Sequence, residues 1–266
     1  MKERAKPTDR LIKRTLVAAF VLVGFAAATT SANAATDHLT QANQLVNDID
    51  AQALVGNLQN GYGTPTVVLF KSDPGGAKVY AECSTFVTRL LSKCYGWNWS
   101  TINGGGTSSP NAAEYYSYIQ AGPVRGFTTI PSLFNIQPGD IISSKYKVPT
   151  PATGHVMIAL KADAVPHTFK YNVNDGHQGT YTYYCVQVVD VTSGQHGPNF
   201  DGAWTDTRYC IPGVAMSGVG RGWFSMIVDA AGKPLGWGFS RTPYANAVHW
   251  QDIDPIAIGR LNLPAK

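Results

Sequence analysis

Cys83 and His155 are the two side chains of this 266-residue chain whose type and position suit nucleophilic chemistry. Cys83 opens a segment in which Cys83, Phe86, Val87, Leu90, Leu91 and Cys94 recur at helical spacing on one face, with Ser84, Thr85, Thr88, Arg89, Ser92 and Lys93 opposite and Gly96 as the stop. A thiol in the first turn of a helix stands where unpaired N–H groups and the macrodipole favour an anion. The same N–H groups can receive the oxyanion of a tetrahedral intermediate. His155 begins an apolar run to Leu160 after the loop Val148 to Gly154, where an imidazole can act as base and then acid toward a thiol. Each residue alone has a plainer reading, Cys83 as core packing and His155 as a structural strand residue.

Placing these two groups requires the elements around them. A helix is predicted over Asp37 to Leu54 and another over Ala112 to Ala121, with a turn at Asp73-Pro74-Gly75-Gly76. Strands are predicted over Gly139 to Lys145, His155 to Leu160, Tyr181 to Thr192, Gly222 to Asp229, Leu235 to Ser240 and Ile256 to Leu261, with Ala230 to Lys233 as a hairpin turn. Helices first and antiparallel strands after them make an α+β domain. Gly218-x-Gly220-x-Gly222 precedes a strand rather than opening a helix, so it is read as backbone turns and not as a dinucleotide loop. Trp204, Trp223, Trp237 and Trp250 are assigned to core packing, with a glycan-facing groove as the alternative.

Three ordered motifs add a family. Glu82-Cys83-Ser84-Thr85-Phe86-Val87 resembles the Asp-Cys-Ser-Gly-Phe-Val nucleophile motif of the NlpC/P60 papain-like cysteine hydrolases. Ile136-Gln137-Pro138-Gly139-Asp140-Ile141-Ile142 is similar to that family's Leu-x-Pro-Gly-Asp-Leu-Val segment, and Gly154-His155-Val156-Met157-Ile158-Ala159-Leu160 to its histidine strand. The resemblance spans Lys78 to Thr192. It implies a papain-like fold, with the Cys83 helix packed on an antiparallel sheet, and cleavage of amide bonds in peptidoglycan stem peptides through an acyl-enzyme. It makes Cys83 the nucleophile and His155 the general base and acid. The third, orienting residue is assigned to Asp190 in Val188-Val189-Asp190-Val191-Thr192-Ser193, with His167 and His196 as alternatives. Thr85 departs from the motif's glycine, and the aromatic-Gly-Gly segment that often precedes the nucleophile is not recognisable. Tyr80 is the candidate for a hydroxyl near the oxyanion. A second reading, from a different class, is a non-catalytic wall- or glycan-binding module; a third is an amidase or acyltransferase on another substrate.

His38, His177 and His249 have no partners at ligand spacing, and neither Cys-x-x-Cys nor His-x-x-x-His occurs, so no metal and no cofactor are expected. Residues 1–34 have the layout of an export signal, with a basic leader, an apolar run of thirteen residues from Leu16 to Ala28 and a small-residue cleavage site Ala32-Asn33-Ala34. Thirteen falls short of the roughly 20 a spanning helix needs, so no stable membrane insertion is expected and the mature protein is periplasmic or secreted. The leader carries six of the 21 Lys+Arg and two of the 17 Asp+Glu, leaving 15 of each. The net charge of +4 therefore resides in the leader and supports no nucleic-acid partner. A helical arm over 35–60 and one catalytic domain over 61–266, ending in a β-hairpin extension, form the expected organisation, in a monomer. Of the four cysteines, Cys185 and Cys210 are the pair assigned to any disulfide.

Overall fold

The computed structural model describes residues 32–98, 109–148, 152–197, 205–209, 216–243 and 247–262, with side chains from residue 38 onward. They belong to one compact unit, 31–266. The expected export leader lies outside them except for Ala32 to Ala34, which begin the first helix. In chain order the elements are α1 (Ala32–Leu54), β1 (Asn60–Tyr62), β2 (Val67–Leu69), β3 (Lys78–Ala81), α2 (Cys83–Tyr95), α3 (Ala112–Ala121), β4 (Phe127–Ile130), β5 (Ile141–Lys145), β6 (Gly154–Ala162), β7 (His167–Tyr171), β8 (Gly179–Thr192), β9 (Gly218–Val228), β10 (Pro234–Gly238), β11 (His249–Trp250) and β12 (Ile256–Leu261).

The architecture is α+β. Strands β11, β10, β9, β8, β6, β5, β12 and β4 form, in that order, an antiparallel sheet to which β7 adds by pairing with β8. A separate small sheet has the order β1, β3, β2. The large sheet buries both faces, which is why β6 reads as an unbroken apolar run rather than an alternating one. Val156, Ile158, Val189 and Val191 pack with Leu45, Ile49, Phe86, Leu90 and Ile119 of the three helices. Met157, Val188, Phe224, Met226 and Ile258 form a second cluster on the other face, closed by Trp237. Helix α1 is part of the first cluster, so the N-terminal helix packs into the core.

Local chemistry sets the ends of α2. Thr85, the departure from the family motif, accepts from the Glu82 backbone N–H and donates to the Glu82 carbonyl, both at 3.0 Å. Its hydroxyl thus does capping work that a glycine could not. At the other end Gly96 adopts φ 62° and donates to the Ser92 carbonyl.

The Pro138-Gly139-Asp140 motif is a structural clamp. Buried Asp140 takes both arms of the Arg260 guanidinium at 2.9 Å, and His38 of α1 bonds the Gly139 carbonyl at 2.8 Å. Burial raises the Asp140 carboxyl above its ordinary value against the pull of Arg260.

Two sequence expectations are corrected. Gly218, Gly220 and Gly222 lie inside β9, not in turns before it. His167 opens strand β7, not a loop.

Candidate active site

His155 stands at the start of β6, and its placement depends on the glycine before it. Gly154 has φ 147°, and a Cβ there would lie 1.9 Å from the Ser144 carbonyl oxygen on β5. Replacing Gly154 with alanine is therefore expected to destabilise the protein by roughly 2 kcal/mol or more and to displace His155. A denaturation midpoint equal to wild type would show that the close approach is not required. The His155 backbone N–H is held by the Ser144 hydroxyl at 3.0 Å.

Three sequence candidates meet. The Nε2 of His155 lies 2.7 Å from Asp190 Oδ2, and the Cys83 side chain is close enough to the imidazole to act on its charge. With Nε2 taken by Asp190, Nδ1 is the nitrogen left for the sulfur. Burial opposes charge on His155, yet Cys83 and Asp190 outweigh it and push the imidazole up to about 10. The arrangement brings a cysteine, an imidazole and a buried carboxylate together in that order. Of the three residues weighed for the orienting position, His167 stacks on Tyr183, seven residues from Asp190 along β8, while His196 joins the network at Asp190 itself.

Asp190 sits on β8 opposite Met157 of β6 and Gly220 of β9. Its Oδ2 also receives His196 Nε2 at 2.9 Å, and its Oδ1 receives Arg208 Nη1 at 2.8 Å. Arg208, itself fully buried, grips Asp206 through Nε and Nη2 at 2.9 and 2.7 Å. Burial works against ionisation of Asp190, but His196, Arg208 and His155 hold its carboxyl well below the usual range.

The glycine stripe makes room for this network. Period-two spacing puts Gly218, Gly220 and Gly222 on one face of β9. A Cβ at Gly220 would lie 2.8 Å from Arg208 Cγ, and one at Gly222 would lie 2.6 Å from His196 Cγ.

A cleft of about 310 Å³ opens on this centre, lined by Tyr62, Tyr146, His155, His196, Phe239 and the turn Thr192 to Gln195. Burial first, and the neighbouring Cys83 second, push both Tyr62 and Tyr146 up to about 12. Phe239 meets both imidazoles edge-on, with ring centroids 5.0 Å from His155 and 5.4 Å from His196.

Tyr80 lies on the exposed side of β3 with its ring across Gly61 and Gly63, whereas Tyr62, between those glycines, lines the cleft. Sequence reading missed Tyr62, Tyr146, Phe239, Asp206 and Arg208. The signal for Tyr62 was an aromatic residue flanked by two glycines upstream of the cysteine, and the signal for Arg208 was a glycine stripe that needed a large side chain to fill it.

Cys185 carries a free thiol that donates to the Arg241 carbonyl at 3.3 Å, which corrects the expected pairing with Cys210, a residue outside those described. Trp223, Trp237 and Trp250 are buried, whereas Trp204 lies outside the described residues.

Among the described residues, two groups of side chains have metal-ligand proximity. His155, Asp190 and His196 form one, and Asp163, His167 and Cys185 the other. In the first, both imidazoles bond Asp190 and the Arg208 guanidinium sits on the same carboxylate; in the second, Arg241 pairs with Asp163 at 2.7 Å. A resident positive charge opposes a bound cation in each. Among the described residues no helix is long and apolar enough to cross a membrane.

The buried carboxylate gives a pH signature. Because the folded value of Asp190 lies below the ordinary 3.8, its contribution to stability is complete above 3.8 and is lost as pH falls through the folded value. The destabilisation caused by Asp190→Asn, read by urea unfolding, is therefore expected to be full near neutral pH and to shrink below 3.8. A difference independent of pH would mean that Asp190 is not held ionised.

An uncharacterized protein of Acanthamoeba polyphaga mimivirus is similar to this chain, 28% identical over 188 residues that cover 68% of this chain and 78% of the viral protein. No family profile matches the chain, and no solved structure matches it.

Proposed function

We propose that this chain is an exported papain-like cysteine hydrolase that cleaves amide bonds in peptidoglycan stem peptides. The observation that carries the chemistry is the unbroken polar path from Cys83 through His155 to Asp190, with the His155–Asp190 link at 2.7 Å, opening onto a cleft. The resemblance of three ordered motifs to NlpC/P60 hydrolases supplies the fold and substrate class, and the layout of residues 1–34 supplies the export.

In the proposed reaction the Cys83 thiolate attacks the amide carbon and forms a C–S bond, while the carbonyl oxygen takes the negative charge near the N-terminal N–H groups of α2. The C–N bond then breaks as His155 gives its proton to the departing amine. Water next gives a proton to His155 and adds to the thioester, and the C–S bond breaks to restore thiolate and imidazolium. Asp190 holds the imidazole in one orientation through both halves.

The binding-module reading is weaker, because Trp223, Trp237 and Trp250 are buried and offer no glycan-facing surface. Digestion of purified cell wall with mass analysis of the products is the test. Release of stem-peptide fragments, with one amide bond cut, is the expected result. An intact wall, together with a Cys83 thiol that resists alkylation until the protein unfolds, would replace the enzyme reading with a packed cysteine.

A further inference from the structure

His196 is a second histidine on the same carboxylate oxygen, and its two ring nitrogens face two groups of different kinds. Nδ1 lies 2.8 Å from the Trp223 carbonyl oxygen and Nε2 lies 2.9 Å from Asp190 Oδ2. A carbonyl only accepts, so Nδ1 carries a proton. The proton between Nε2 and Asp190 belongs to whichever group is the stronger base, and imidazole exceeds carboxylate by roughly 2 to 3 pH units in ordinary peptides. Both ring nitrogens are therefore protonated.

Charge balance leads to the same result. Asp190, Asp206, Arg208 and His196 are 0%, 5%, 0% and 1% exposed, so the cluster cannot lean on solvent. Two carboxylates against the single Arg208 guanidinium would leave one buried negative charge unmatched. A cationic His196 removes it, and leaves Cys83 and His155 as a separate neutral pair. The groups that face His196 are Asp190 on β8, the His155 imidazole on the same carboxylate oxygen, the Asp206 carboxylate on its backbone N–H at 2.8 Å, and the uncharged Phe239 ring.

We infer that His196 is a positioning residue, held as a standing imidazolium that shares Asp190 with His155 and weakens the hold of that carboxylate on the His155 proton. The inference rests on the cysteine-hydrolase reading above. It gives the two histidines different work. His155 exchanges its proton in every turnover, whereas His196 keeps both of its own. A lone carboxylate behind His155 would favour the ion pair but retain the proton too firmly for delivery to an amine. With His196 and Arg208 drawing on the same carboxylate, Asp190 orients His155 without overstabilising its charge.

The consequence is a dependence on the leaving group. An amide needs the His155 proton for its C–N bond to break, whereas an activated ester with an acidic phenol as leaving group departs without one. His196→Gln keeps a neutral donor and removes the charge. The variant is expected to hydrolyse a stem-peptide amide at least tenfold more slowly than wild type, a loss at least fivefold greater than its loss on a p-nitrophenyl ester of the same acyl group. Equal losses on amide and ester would overturn the inference, because a merely structural role slows both. A second measurement needs no variant: nitrogen NMR of the wild-type ring at neutral pH is expected to show both nitrogens of His196 protonated, and a single tautomer would overturn the inference. A wild-type protein inactive on amide and ester alike would instead defeat the hydrolase reading itself, and the inference with it.

Discussion

Cys83→Ser is expected to lower amide hydrolysis by roughly three orders of magnitude or more while leaving the fold intact. Sulfur and hydroxyl oxygen are close in size, and the reciprocal Glu82–Thr85 bonds that start α2 do not involve the thiol. The chemistry is less tolerant. A serine hydroxyl beside His155 stays protonated, so the ion pair that supplies the nucleophile and stores the proton is never formed. In the proposed mechanism Cys83 and His155 act as one unit, so combining Cys83→Ser with His155→Ala should be scarcely slower than either change alone. Cys94→Ser is the control. It lies on the same buried helix face three turns on, so any loss there should appear as stability and not as turnover. A folded Cys83→Ser protein that still cleaves wall peptide at the wild-type rate would remove Cys83 from the chemistry altogether.

Arg208→Met carries the largest expected effect on stability. Methionine fills much of the space but leaves the carboxylates of Asp190 and Asp206 buried without their guanidinium, and breaking a buried pair from one side costs about 3–5 kcal/mol. For a unit of this size that corresponds to a drop of roughly 6–20 °C in Tm. Adding Asp206→Asn should recover part of the loss, because it removes one of the stranded charges. Arg208→Lys should not rescue the fold fully, since an ammonium cannot make the bonds to Asp190 Oδ1, Asp206 Oδ1 and Asp206 Oδ2 in one plane. An Arg208→Met protein with wild-type calorimetric behaviour would show that the network is not the keystone of this sheet face.

Local regularities made much of the molecule legible from its residues. The apolar face from Cys83 to Cys94 repeats at helical spacing, and α2 begins at Cys83. The run from His155 to Leu160 and the run from Tyr181 to Thr192 lie within β6 and β8. Each pattern records burial within one element, which neighbouring residues express by themselves. Strands β1, β2 and β4 are three or four residues long, too short for a period to emerge, and their pairing rather than their composition makes them strands.

The identity of the group behind His155 was of another kind, because Asp190, His167 and His196 were all compatible with the order of residues. Strand register decided it. Pairing Met157 with Asp190 puts that carboxylate next to the imidazole two positions earlier on β6, and pairing Asp190 with Gly220 opens the space through which Arg208 reaches it. His196 then enters over Gly222, from a turn no strand pattern marks. The amino-acid order determined that a thiol would start a helix and an imidazole would start a strand. Which charges surround them was decided only by tertiary structure, because Asp190 meets His155 and Arg208 across 35 and 18 residues of chain, and only the folded sheet brings those partners within hydrogen-bonding distance.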